Sequence, residues 1–91
     1  MAQTGPHHIL FYEYVADILE RREPFRANHL SAIRAAKEDG RIIQAGPLGD
    51  PPHGAAIVFA DPTKAETFAQ ADPYVTNGLV TSWRVEPWTL V

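Results

Sequence analysis

Gln70-Ala71-Asp72-Pro73-Tyr74-Val75-Thr76-Asn77-Gly78 is the stretch where a helical pattern runs into a proline. The point where that helix ends fixes the element after it. Pro73 disfavours α backbone at the residue before it, so a helix arriving from Pro62 stops at Asp72. Residues 79–86 are then left free to form one more strand. Ala65, Phe68, Ala69 and Asp72 fall on one face of the incoming helix, at about 100° per residue. The carboxylate therefore projects from the end of an element. An acidic group there opposes the helix macrodipole by about 0.3–1 kcal/mol and calls for a partner.

Working back from this point, Asp61-Pro62 supplies an N-cap followed by proline at the first helical position. Residues 55–60, Ala-Ala-Ile-Val-Phe-Ala, are a continuous apolar strand with the composition of a buried one. Before them, Pro47 to Gly54 is a turn-rich loop and residues 41–46 are a second strand. Pro24 to Asp39 reads as a helix ended by Gly40. Its apolar arc carries Phe25, Leu30, Ala32, Ile33 and Ala36, and His29 lies inside that arc, with Arg26 on its border. Ser31, Arg34, Ala35 and Glu38 fall on the outer face. Residues 8–15, with apolar and aromatic side chains at odd and even positions alike, read as a strand covered on both faces. Ala16 to Glu23 reads as a charged connection.

The resulting order βαββαβ predicts an α+β, ferredoxin-like fold: a four-stranded antiparallel sheet with both helices on one face. The second sheet face is left bare although its strands are apolar, and an exposed patch of that kind marks an interface. The expected partner is a second copy of the chain, packed sheet to sheet.

With 91 residues, 45% of them hydrophobic and 21% charged, the chain suits one globular domain spanning residues 1–91. A net charge of −3 and scattered Lys and Arg argue against nucleic-acid binding. Neither a signal peptide nor a membrane span is expected, and the absence of Cys fits a reducing cytoplasm.

Three segments carry a resemblance beyond this pattern. Arg26-Ala27-Asn28-His29-Leu30, then residues 38–47 from Glu38-Asp39-Gly40 to Ala45-Gly46-Pro47, then Ala71-Asp72-Pro73-Tyr74-Val75 with Gly78, are together similar to the YciI-related (YCII) family. The similarity extends from the first strand to Pro87 and Trp88. It implies a ferredoxin-like subunit in a dimeric α+β barrel, with a paired His and Asp as the proposed active centre. By position these are His29 and Asp72, while Arg26, Gly46, Pro47, Pro73 and Tyr74 match motif positions and are carried as substrate-binding candidates. The chain departs from the family's pattern by a somewhat longer polar start and by a compact loop between Gly46 and Gly54, where relatives often have more residues.

A carboxylate bonded to one imidazole nitrogen fixes the tautomer and leaves the other nitrogen to take or give a proton. The competing reading makes His29 a core histidine and Asp72 the cap of the turn at Pro73. Arg26 either clamps an anionic substrate or pairs with Glu20 or Glu23 at the surface. Tyr74 either donates a hydrogen bond into a pocket or packs over a helix end, and Tyr12 and Tyr14 are assigned to filling the sheet. His7, His8 and His53 lack ligand spacing and are expected to face solvent, so no metal site and no cofactor are expected. No phosphate loop or nucleophile elbow is present. The function expected is a cofactor-independent enzyme moving a proton on a small organic substrate. The alternatives are a small-ligand-binding or regulatory module using the same cavity, and a purely structural dimer.

Overall fold

The computed structural model describes residues 5–91 of the chain. β1 (Gly5–Tyr14) leads through a short helix α1 (Ile18–Arg21) into the long helix α2 (Glu23–Glu38). There follow β2 (Ile42–Leu48), β3 (Gly54–Phe59), α3 (Pro62–Ala71), a single turn α4 (Pro73–Thr76) and β4 (Val80–Leu90). The strands form one antiparallel sheet in the order β2-β3-β1-β4. This is the ferredoxin-like α+β arrangement expected from the order of elements.

Register decides which side chains meet. Leu10 stands opposite Ile57 on β3 and Val85 on β4, and because side chains alternate across a strand, all three point to the helix-covered face. There they join Tyr12 and Phe59 from the sheet and Ile18, Ala36, Ala65, Phe68 and Ala69 from the helices. Full burial of a Leu, Ile or Phe in such a layer stabilises by about 1.5–3 kcal/mol each. The opposite face carries Ile9, Phe11, Ala56 and Val58, with Arg84 lying over the Phe11 ring at 4.5 Å and pairing with Glu86. Trp88 stands on this face 41% exposed.

Four expectations change. The charged connection after β1 contains α1, whose Ile18 is buried in the core. β2 continues through Pro47 to Leu48 and β4 through Pro87 to Leu90. Both are edge strands, where a residue without an N–H is tolerated. β1 begins at Gly5, and His7 on it is buried, with only His53 of the three spare histidines freely exposed. The polar start of the chain lies partly outside the described residues. Among the described residues no helix is long and apolar enough to cross a membrane.

Candidate active site

Asp72 is the last residue before two structural events. Its own backbone is extended, at φ −66° and ψ 127°, as the following Pro73 requires. It closes α3 by donating its N–H to the Phe68 carbonyl, and its side chain caps α4 by accepting the Tyr74 N–H at 3.0 Å. The expected conflict with a helix C-terminus is thereby relieved, because the carboxylate sits at the start of the next turn. The chain then leaves α4 through Gly78 at φ 77°, a left-handed position that favours glycine, and Leu79 donates to the Tyr74 carbonyl to begin the return to β4.

The rest of the Asp72 carboxylate is satisfied by two distant elements. Tyr12 on β1 donates its hydroxyl to Oδ2 at 2.7 Å, and His29 on α2 brings Nδ1 to 2.9 Å from Oδ1 and 3.0 Å from Oδ2. The carboxylate is fully buried and the imidazole is nearly so. The Tyr74 ring lies flat on the imidazole, centroids 3.8 Å apart and planes within 7°. The Tyr14 ring meets Tyr74 edge-on at 6.1 Å. The imidazole is thus held along its edge by a hydrogen bond and across its face by a stack. With Nδ1 committed to Asp72, Nε2 is the nitrogen left for chemistry.

His29 lines a half-open cleft of about 180 Å³ between α2 and the β2 side of the sheet. Tyr14, Tyr74, Arg22 and Arg26 supply its polar wall, and Leu30, Ile33, Ala45 and Ile57 its apolar one. Gly46 and Pro47 form its rim and also border a shallow groove on the open sheet face. Burial, reinforced by Tyr74 and Asp72, pushes the Tyr14 phenol up to about 12, so at neutral pH it is a hydrogen-bond donor. Burial and then the Asp72 charge hold Tyr12 well above its ordinary value. Desolvation raises Tyr74 as well.

Of the residues singled out from the sequence, His29, Arg26, Gly46, Pro47 and Tyr74 line the cleft. Asp72 stands behind the imidazole, and Pro73 shapes the backbone without reaching the cleft wall. Arg26 forms no ion pair with Glu20 or Glu23. Two participants escape sequence reasoning. Tyr12 reads as a sheet-filling residue, since nothing in an apolar-aromatic strand says that its hydroxyl meets a carboxylate 60 residues away. Arg22 falls in the supposed connection, although its position four residues before Arg26 is the spacing of one helical turn. Among the described residues no three His, Cys, Asp or Glu side chains gather as a metal set.

A sheet, two principal helices and a hydrogen-bonded imidazole and carboxylate at a cleft define a small ferredoxin-like domain with one titratable centre, and the chain belongs to the YCII-related domain family, whose model matches residues 7–89. It is similar to Protein YciI of Escherichia coli O6:H1 and of Shigella flexneri, 30% identical in each case over 92% of this chain and 97% of the relative. Among solved structures it resembles the 5-chloro-2-hydroxyhydroquinone dehydrochlorinase TftG from Burkholderia phenoliruptrix AC1100, in complex with 2,5-dihydroxybenzoquinone. That match has a TM-score of 0.74 at 20% identity and covers 91% of this chain and 93% of the other. Protein Atu4242 from Agrobacterium tumefaciens matches with a TM-score of 0.57 at 10% identity, covering 92% and 91%. These two structural likenesses bear on the fold.

Proposed function

We propose that the protein is a cofactor-independent enzyme in which His29, oriented by Asp72, transfers a proton on a small organic substrate held in the cleft. The observation that carries this reading is the imidazole with Nδ1 on a buried carboxylate and its ring in the wall of an open cleft. In the neutral ring Nδ1–H donates to Asp72 and Nε2 keeps a lone pair. Nε2 then takes a proton from an acidic C–H or O–H of the substrate, the carboxylate steadies the imidazolium, and the proton returns at another substrate atom. Isomerisation uses both halves of that step, elimination expels a leaving group with its electron pair once the proton is taken, and in hydrolysis the proton comes from a water molecule instead. Cavities of about 150 Å³ hold benzene, so this cleft suits one ring. The ligand named for the TftG complex, 2,5-dihydroxybenzoquinone, is of that size.

In this reading residues 1–91 are one domain acting as a homodimer through the open sheet face, in a cytoplasmic setting. Support for the dimer is the half-buried apolar set Ile9, Phe11 and Ala56 on a face that no helix covers among the described residues. A partner seated there abuts the Gly46-Pro47 rim shared with the cleft.

Solvent exchange tests the chemistry whatever the final product is. A panel of ring-sized enolisable acids and hydroxylated or chlorinated quinols is incubated in deuterium oxide and followed by proton NMR. The wild type should exchange or convert at least one compound, and His29→Gln should slow this by about 10²-fold or more while remaining folded. Conversion that survives His29→Gln unchanged overturns the proposal. A ligand bound tightly and released without exchange points instead to a binding module.

A further inference from the structure

We propose that Arg22 and Arg26 form an anion-binding subsite at one end of the cleft, and that the substrate is a ring-sized carboxylate or equivalent anion bound with its charge on these two guanidinium groups. This rests on the cleft being the substrate site and goes further, to the charge and orientation of what it holds.

The placement comes from one helical stripe. Arg22 has helical backbone, at φ −75° and ψ −19°, so α1 passes into α2 almost without a break. Arg22, Arg26, His29, Leu30 and Ile33 then follow at offsets of four, seven, eight and eleven residues, one side of a helix, and all five line the cleft. The stripe is cationic at its start, carries the imidazole in its middle and is aliphatic at its far end. Arg26 and His29 are about 4.5 Å apart along the axis at 1.5 Å per residue. An acid group on the arginines therefore leaves the attached ring beside His29 and its hydrocarbon edge against Leu30 and Ile33.

Among the described residues no carboxylate forms an ion pair with either arginine, although neighbouring Arg21 pairs with Asp17. The Arg22 Nε is buried without a hydrogen-bond partner. The Asp72 carboxylate is already taken by Tyr12, His29 and the Tyr74 N–H. Tyr14, pushed up to about 12 by burial, stays neutral and is no counter-ion. Glu23 is close enough to influence the Tyr74 phenol, but it borders a shallow hollow outside the cleft, with Arg26 and Ala27. Arg22 and Arg26 both line the cleft, and guanidinium groups without a counter-ion there are satisfied when an incoming carboxylate accepts from their donors.

Benzoate and benzamide share a shape and differ in charge, so they test the subsite by binding alone. Titrated into the full chain and followed by calorimetry or amide NMR shifts, benzoate should bind about tenfold or more tightly than benzamide, and less tightly as salt is raised. Arg22→Gln and Arg26→Gln should each weaken benzoate by about fivefold or more and weaken benzamide much less, so that the preference for benzoate narrows. Arg22→Lys should keep part of the preference, and circular dichroism confirms that each variant is folded. Because Arg26 is exposed, its variant remains informative if Arg22→Gln unfolds. His29→Gln should abolish exchange chemistry yet keep the preference for benzoate, which separates this subsite from the proton-transfer reading. Equal affinity for the two probes, no binding of either, or a preference that survives Arg22→Gln together with Arg26→Gln overturns the proposal.

Discussion

At the scale of single residues, the site is organised by a carboxylate whose every neighbour is a donor. Asp72 receives the Tyr12 hydroxyl, the Tyr74 N–H and His29 Nδ1, which is how a fully buried acid is accommodated. Tyr12→Phe removes one donor and should lower unfolding free energy by about 1–3 kcal/mol, measured by urea denaturation. The same variant has a pH signature. Tyr12 is held above its ordinary value of 10.0 by burial and by Asp72, so above about pH 10 the unfolded chain releases a proton that the folded chain keeps. Its contribution is complete below about pH 10 and is lost as pH rises beyond it, by about 1.4 kcal/mol per pH unit. Urea midpoints measured from about pH 9 to about pH 11 should fall more steeply for wild type than for Tyr12→Phe; parallel curves would contradict this.

At the scale of elements, the strands and caps carry the site into register. Gly54 begins β3 against β1, and a Cβ there would run into the Tyr12 carbonyl oxygen, whereas a Cβ on Gly46 meets nothing within 4 Å. Gly54→Ala should therefore cost about 1–3 kcal/mol and shift the Tyr12 hydroxyl, while Gly46→Ala should melt like wild type. Thermal denaturation of the pair checks the contrast. Much of this layer is legible in the sequence. Pro73 marks the end of α3, Asp61-Pro62 its start, and the arc through Phe25 and Ile33 turns His29 inward. The illegible part depends on pairing between distant segments. The strand alternation of β1 leaves both faces apolar or aromatic, so it does not say which tyrosine meets Asp72. The short helix α1 hides in a charged run because one buried residue, Ile18, is what anchors it. Prolines 47 and 87 read as strand ends, yet both lie on edge strands that pairing alone defines.

At the scale of the whole molecule, one sheet face is covered by helices and the other, among the described residues, by no helix. In the proposed dimer, the half-buried Ile9 and Phe11 would be removed from water by a second copy, which would sit beside Gly46 and Pro47. Phe11→Glu should therefore yield a monomer in sedimentation velocity at concentrations where the wild type is dimeric. It should also weaken benzoate binding, because the cleft and the open-face groove share their rim. A wild-type chain that sediments as a monomer at all concentrations would contradict the proposed assembly and leave the hydrogen-bonded centre untouched.

That centre is tested most directly by locating the proton on His29. Long-range proton–nitrogen NMR of the imidazole, in wild type and Asp72→Asn, reads the state of each ring nitrogen. The expected result is a proton on Nδ1, shifted far downfield by the Asp72 carboxylate and lost or moved in Asp72→Asn, with the Nε2 signal responding when a ligand enters the cleft. A neutral ring carrying its proton on Nε2, or a wild-type spectrum unchanged by Asp72→Asn, would contradict it.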